Sequence, residues 1–204
     1  EKASAPVDGI SMALMIAGVI AHSGTDYQKE VVLPRLLTGE SLVSLGYSEP
    51  DSGSDVAAAA TRAVRDGDEW VINGTKMWTT MAHEAEWILL LTRTNPDVPK
   101  HKGLTFFILP MDTPGITFDA VHTMGTERTN ASFYDEVRIG DEWRVGEVDG
   151  GWKVMGVALS FERGVMGGTG VGIPLLRHFH EWAAHELGAD GRPLLDDPVV
   201  RERM

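Results

Sequence analysis

The chain has 204 residues, of which 43% are hydrophobic and none is cysteine, and 30 acidic against 18 basic residues give a net charge of −12 at pH 7. This composition excludes a disordered chain, a disulfide framework, a thiolate metal site and a cysteine nucleophile. The acidic balance and the scattered basic residues argue against nucleic-acid binding.

Helical patterns open the chain. Residues 11–20 are rich in Met, Ala, Leu and Ile without alternation, and residues 27–37 repeat apolar side chains at helical spacing, with Pro34 as a break. The longest apolar run, 10–21, is shorter than the ~20 residues that a membrane-spanning helix needs. No basic segment precedes it as in a secretory signal, so we expect a cytoplasmic protein without a membrane partner.

From residue 41 the pattern changes to short alternating or β-branched runs, which are typical of strands. Asp66-Gly67-Asp68 and Asn73-Gly74 separate such runs and are typical of hairpin turns, because glycine tolerates positive φ. An all-β middle region is predicted, as a barrel or a sandwich. The predicted strands are 42–47, 61–65, 70–72, 87–92, 104–109, 117–121 and 132–139.

Helical spacing returns after residue 151. The apolar residues Met155, Leu159 and Met166 share one helical face with Glu162, which places a carboxylate inside an apolar stripe. Another helix is predicted at 176–187, and a final helical pattern runs to the end of the chain, so we expect a fragment. The order of patterns predicts an α+β architecture with a helical segment at 1–40, a β domain at 41–149 and a second helical segment at 150–204.

Two segments of the β region have a composition suited to ligand binding. Residues 46–55 are dense in Gly, Pro and small hydroxyls, which let a flat or anionic ligand approach the backbone, although ordinary loops share this composition. Residues 73–80 contain Trp78, whose indole could stack on a planar ring or lie in the core, and Thr80, whose hydroxyl points the same way along a strand.

Together these segments resemble the signatures of the acyl-CoA dehydrogenase family. Residues 48–55 match Thr or Ser, Glu, Pro, two variable residues and Gly-Ser-Asp, while residues 73–80 match Asn-Gly, variable, Lys, variable, Trp, variable, Thr. Weaker matches extend over essentially the whole chain. The resemblance implies a helical segment, a central β-barrel domain and a truncated C-terminal helical bundle. It also implies FAD as cofactor, an acyl-CoA substrate, an electron-transfer flavoprotein as acceptor, and a homo- or heteromeric dimer or tetramer that acts in fatty-acid oxidation.

The resemblance also implies roles for individual residues. The end of the first strand would contact the flavin ring, the glycine-serine turn would face its pyrophosphate, and the second segment would line the isoalloxazine, with a hydrogen bond near N5 from Thr80. Ser54 would also lie near the CoA portion of the substrate. The cofactor residues so assigned are Leu45, Gly46, Tyr47, Ser48, Gly53, Ser54, Trp78, Thr79 and Thr80.

Glu162-Arg163 resembles the arrangement of a subset of the family, in which the catalytic base lies on the first helix after the β domain. Most members carry that glutamate later, which would be beyond residue 204. Glu162 would remove the α-proton of the substrate, and Ser160 and Arg163 would lie near the substrate. Removal from water on the apolar stripe would make the carboxylate a stronger base, whereas a structural ion pair is the alternative.

The sequence departs from the family at residues 185–192, where Arg, two variable residues and Phe-Gly are absent. Arg192 would substitute, or the chain would belong to a mixed tetramer. Ser160 stands where many members have Asp. A non-catalytic partner subunit and an acyl-CoA oxidase therefore stay as alternatives to a dehydrogenase.

Two further patterns do not predict sites. Gly168-Thr169-Gly170 lacks the third glycine of a dinucleotide-binding turn, since Ile173 stands there. His180 and His185 are five residues apart, which is wrong for two metal ligands on one helical face, so no metal is expected.

Overall fold

A computed structural model describes residues 8–124, 128–166 and 172–203 of the chain. It divides into two compact units, Glu1–Glu162 and Arg163–Met204. The helices of the described residues are α1 (Asp8–Ser23), α2 (Asp26–Val31), α3 (Leu33–Leu37), α4 (Gly151–Met166), α5 (Gly172–His185) and α6 (Pro198–Arg203).

The helices α2 and α3 follow from local sequence signals. Thr25 caps α2 through a capping box with Gln28, whose side chain also donates to the carbonyls of Glu142 (2.7 Å) and Arg144 (2.9 Å). The break between the helices falls at Val32, two residues before Pro34, because proline lacks an N–H and fits only the first turn of a helix. The predicted break is thus confirmed, slightly ahead of the proline.

The strands form one sheet in the order β6-β7-β3-β2-β4-β5-β8, with β1 parallel to β4. The α+β architecture is confirmed, but the sheet is open over the described residues, with β6 and β8 at its ends, instead of closing into a barrel. The strands are β1 (Val43–Gly46), β2 (Arg62–Asp66), β3 (Glu69–Lys76), β4 (Trp87–Arg93), β5 (Leu104–Pro110), β6 (Ile116–His122), β7 (Arg128–Gly140) and β8 (Arg144–Val145).

One of the two predicted hairpin turns is confirmed. Gly67, at φ 64°, turns β2 into β3, where Asp66 pairs with Glu69. The prediction for Asn73-Gly74 was wrong, because these residues lie inside β3 at a shift of its register with β7. Gly74 adopts φ 154°, and a Cβ there would lie 2.7 Å from Cα of Thr61, so the glycine serves a β-bulge and a close backbone approach.

The strand β4 separates two hydrophobic cores. Leu89 and Leu91 point into a core shared with the helices α1 and α4, while Ile88 and Leu90 point into a core beneath β3 and β7. All four side chains have 0% exposure, so β4 is a strand buried on both faces.

The second unit contains α5, α6 and a turn between them. The turn is closed by hydrogen bonds from Gly188 N to Arg192 O (2.8 Å) and from Leu194 N to Glu186 O (2.8 Å). Among the described helices, none has both the length and the apolar character that a membrane crossing requires.

Candidate active site

The two motif segments are joined by a buried ion pair. Nζ of Lys76, from the second segment, lies 2.8 Å from Oε1 of Glu49, from the first, and the two side chains are 0% and 8% exposed. Glu49 also accepts backbone hydrogen bonds from Ala60 (2.7 Å) and Thr61 (2.9 Å). Residues 49–61 form a loop, here called the glycine-serine loop. The Glu49 carboxylate therefore ties both ends of this loop to Lys76 at the end of β3.

The charges of this pair depend on each other. Burial favours the neutral form of Glu49, but the charge and hydrogen bond of Lys76, together with the two backbone donors, outweigh it and hold the pKa of the Glu49 carboxyl below its ordinary value. Burial lowers the pKa of Lys76 to about 8, against the opposing effect of Glu49. Removal of either partner would leave a buried charge without its counterion.

Backbone contacts bring the segments side by side where their strands end. Met77 N donates to the carbonyl of Ser48 (2.9 Å), and the hydroxyl of Ser44 in β1 donates to the carbonyl of Thr80 (2.8 Å). Ser48 and Thr80, which the resemblance assigns to the flavin, are thus tied to adjoining chain segments. The spatial neighbourhood that the two motifs require exists in this fold.

Trp78 projects from the second segment into solvent. Its side chain is 56% exposed although it is a large aromatic residue, and its backbone adopts φ 62°, which residues other than glycine rarely do. A planar ligand stacked on the indole would cover this surface. Trp78 is therefore not part of either hydrophobic core of the described residues.

Thr79, the residue after Trp78, is anchored to β7. Thr79 is fully buried. Its N–H donates to the carbonyl of Asn130 (2.8 Å), and its carbonyl accepts a hydrogen bond from the side-chain amide of Asn130 (2.9 Å). Its hydroxyl lies 3.0 Å from the hydroxyl of Ser132. Its side chain hence points away from the exposed side of the segment, so Thr79 contributes to a cofactor site only through its backbone or its neighbours. Asn130 and Ser132, on β7, carried no sequence signal beyond the strand pattern.

The glycine-serine loop is exposed at its tip. Gly53 and Ser54 lie in solvent, and a Cβ on Gly53 would meet nothing within 4 Å, so a ligand can approach the backbone closely. Next to them, Asp55 pairs with Lys100 at 2.6 Å. A cleft of about 320 Å³ lies between this loop and β3, and a hollow of about 540 Å³ lies over β2, β3 and β7. Neither of these two cavities is lined by a predicted site residue.

The strand end that precedes the loop is closely packed. Gly46 lies against Leu90 and Ile88, where a Cβ would come within 2.7 Å of a side-chain carbon, and Leu45 is half-buried. Tyr47 packs edge-on against Phe106, with ring centroids 5.5 Å apart. Packing against β4 and Phe106 therefore holds the segment that leads to Ser48.

Glu162 lies on α4, in the same compact unit as the two motif segments. It is half-buried, on the helical face that also carries the buried residues Met155 and Ala158, as the predicted stripe requires. Burial, and then the negative charge of Glu162, raise the pKa of the Tyr47 hydroxyl. The candidate base is thus within electrostatic range of the candidate cofactor segment.

The other two predicted substrate residues, Ser160 and Arg163, lie on the surface. Ser160 is exposed and its hydroxyl donates to the carbonyl of Gly156 in its own helix (2.8 Å). Arg163 is exposed and belongs to the second unit. In that unit Arg192 donates to the carboxylate of Asp190 through two nitrogens (2.9 and 2.8 Å), so its guanidinium is engaged within the turn.

Two features fall outside these sites. Gly168-Thr169-Gly170 lies outside the described residues. Within the described part of the chain, no group of three or more His, Asp or Glu side chains is arranged to hold a metal ion.

Comparison with known proteins agrees with this geometry. Residues 44–136, which include both motif segments, match the model of the acyl-CoA dehydrogenase middle domain. The chain belongs to the acyl-CoA dehydrogenase family. It is 39% identical to the acyl-CoA dehydrogenase FadE26 of Mycobacterium tuberculosis over 98% of its own length and 50% of that protein's.

Solved structures of the family share the fold. The ChsE4-ChsE5 complex of Mycobacterium tuberculosis matches with a TM-score of 0.79 and 40% identity, over 92% of this chain and 49% of the other. The butyryl-CoA dehydrogenase of Megasphaera elsdenii matches with a TM-score of 0.85 and 27% identity, over 96% and 52%. The chain therefore spans about half the length of the relatives that it matches.

Proposed function

We propose that the protein is an FAD-dependent acyl-CoA dehydrogenase that introduces an α,β double bond into an acyl-CoA thioester, with Glu162 as the base. The observation that supports this most directly is the placement of Glu162 within one unit with both motif segments, close enough to act electrostatically on Tyr47. A base and a cofactor segment must adjoin the same substrate carbons for this reaction.

The residues fit the cofactor. Trp78 offers an exposed aromatic face, the backbone at Gly53 is open to a phosphate, and the hydroxyl of Tyr47 is buried without a hydrogen-bond partner in the described chain. When bound, the flavin supplies the acceptor for the hydride that leaves Cβ. Leu45, Gly46, Tyr47, Ser48 and Thr80 would hold the ring, while Gly53 and Ser54 would hold the pyrophosphate.

In this proposal Glu162 holds its carboxylate against Cα of the substrate and takes the α-proton. Its side chain is half-buried on α4, beside the buried residues Met155 and Ala158. Ser160 and Arg163, one turn or less from Glu162, would contact the substrate. Electrons would pass on to an electron-transfer flavoprotein in the cytoplasm.

The test is anaerobic mixing of the full-length flavoprotein with acyl-CoAs of different chain types while the flavin absorbance is followed. We expect bleaching with at least one of them, and a fall of about 10²–10⁴-fold in its rate for Glu162→Gln, the range that a general base contributes. Glu147→Gln is the control, since the Glu147 side chain is 84% exposed and lies 3.9 Å from Lys153 near the start of α4. A Glu162→Gln protein that bleaches as fast as the parent would contradict the assignment, and rapid reoxidation by oxygen would indicate an oxidase.

A second candidate is a subunit that shares its cofactor site with a paralogue. Arg192, the residue that could replace the missing Arg-x-x-Phe-Gly motif, is engaged by Asp190. One of the solved structures that the chain matches is a complex of two proteins, ChsE4 and ChsE5. This candidate predicts that the purified protein lacks flavin and retains it only after mixing with the paralogue, which gel filtration with absorbance at flavin wavelengths would detect.

A further inference from the structure

Trp78 has a backbone conformation that its own side chain does not stabilise. It adopts φ 62°, in the left-handed region where a Cβ crowds the neighbouring carbonyl oxygen. Its indole is 56% exposed and belongs to neither hydrophobic core of the described residues, so packing of the side chain does not offset this cost. Such a residue persists only where the surrounding chain is held in place by other contacts.

The residues on both sides of Trp78 are fixed by hydrogen bonds. Before it, Met77 N donates to the carbonyl of Ser48 (2.9 Å). After it, Thr79 N donates to the carbonyl of Asn130 on β7 (2.8 Å), and the carbonyl of Thr79 accepts from the side-chain amide of the same asparagine (2.9 Å). Asn130 thus binds both main-chain polar groups of Thr79, and the chain passes from one anchor to the other through the single residue Trp78.

The amide of Asn130 is oriented by partners at both of its ends. Asn130 is 0% exposed, and burial of an amide costs free energy unless its donors and its acceptor are bonded. Its oxygen accepts from Nε of Arg128 (3.1 Å), while its nitrogen donates to Thr79 and lies 3.4 Å from Nδ1 of His83. This arrangement keeps the nitrogen turned towards the main chain of Thr79.

We propose that Asn130 is a positioning residue for the cofactor, which holds Trp78 in its left-handed conformation through the main chain of Thr79 and so keeps the indole turned outwards for the flavin. Because Asn130 is buried, it acts through Thr79 and Trp78 without contact with the flavin ring. The inference rests on the proposed function, in which Trp78 stacks on that ring. It gives β7 a part in cofactor binding, although none of the residues assigned from the family motifs lies on that strand.

The test observes Trp78 directly by fluorine NMR of the full-length protein labelled with fluorotryptophan. The Trp78 resonance is identified by its absence from the spectrum of Trp78→Phe. We expect Asn130→Ala to move or broaden this resonance selectively and to raise the Kd for FAD about two- to tenfold, which corresponds to the loss of one aromatic stacking contact. Asn130→Asp should act in the same way even if Asn130→Ala fails to fold, since it keeps the acceptor for Arg128 and lacks the donor to Thr79.

Asn73→Ala is the matched control. The amide of Asn73 also binds a residue with a left-handed backbone, Glu136 at φ 50°. It donates to Oε1 of Glu136 (2.7 Å) and accepts from its main-chain N–H (2.9 Å). Neither residue is assigned to the cofactor, so Asn73→Ala should leave both the Trp78 resonance and the Kd for FAD unchanged.

Four results would overturn the inference. The first is an Asn130→Asp protein whose Trp78 resonance stays in place. The second is FAD binding that weakens in Trp78→Ala but not in either Asn130 variant, which would leave the proposed function intact. A shift of all tryptophan resonances with a lower melting temperature would assign Asn130 to the fold as a whole. A parent protein that binds no FAD would contradict the proposed dehydrogenase itself, and the inference with it.

Discussion

The buried ion pair between Glu49 and Lys76 gives the sharpest prediction on stability. In Lys76→Met a chain of similar length replaces the lysine, and Glu49 keeps two backbone donors but loses its counterion at 2.8 Å. The lysine side chain is fully buried, so water cannot replace it. Loss of one partner of a buried pair destabilises a protein by about 3–5 kcal/mol, and we expect a value in that range at pH 7.

The assay is urea unfolding of the full-length protein, followed by tryptophan fluorescence. Lys100→Met serves as the control, because Lys100 also pairs with an aspartate, Asp55, at short distance but is 49% exposed, and it should change stability by less than about 1 kcal/mol. The double variant Glu49→Gln with Lys76→Met should recover part of the loss, since it removes the uncompensated charge. Equal effects of Lys76→Met and Lys100→Met would refute the argument that burial sets the strength of this pair.

Three further predictions concern the cofactor segment, the bulge and acid stability. Trp78→Ala should leave the melting temperature nearly unchanged, because the side chain is 56% exposed, but should lower flavin retention after gel filtration; normal retention would contradict the stacking role. Gly74→Ala should destabilise the protein by about 1–3 kcal/mol in urea unfolding, since its Cβ would overlap Thr61, and a neutral effect would show that the bulge adapts. Hydrogen bonds from Arg144 and Trp70 and the charge of Arg65, against partial burial, lower the pKa of Asp141 from 3.8 to about 2. The stability that the Asp141 carboxylate contributes is hence fully present above about pH 4 and is lost as pH falls through about 2. Asp141→Asn should therefore lower stability modestly at pH 7 and less at pH 2, as acid titration of the unfolding midpoint would measure.

The fold was largely predictable because its signals are local. Each predicted strand overlaps an observed one, since burial on one face leaves an alternation of period two and burial on both faces leaves a continuous apolar run, as in β4. The prediction of a turn at Asn73-Gly74 was wrong because a turn and a β-bulge both favour glycine. The close approach of Thr61, which accounts for the glycine here, is visible only in the structure. The two-residue strand β8 was not predicted, because so short a strand has no period.

The site was predictable as a set of segments but not as a set of contacts. The family resemblance identified residues 48–55 and 73–80, whereas their connection through Glu49 and Lys76 depends on pairing between distant strands. The inward direction of Thr79 depends on hydrogen bonds with Asn130 and Ser132 on β7, which lie 50 or more residues away in sequence. A local pattern carries no information on such partners.

The parallel pairing of β1 with β4 has one more consequence. β1 ends at Gly46, opposite Leu90 of β4, and β2 begins at Arg62, opposite Arg93 of the same strand. Residues 47–61 therefore start and finish beside neighbouring positions of β4. The neck of this loop is held by Glu49 and by the core residue Ala57, whereas Asp51, Gly53 and Ser54 at its tip are exposed. Substitutions at these three exposed positions can therefore change the surface that the tip presents without disturbing the sheet.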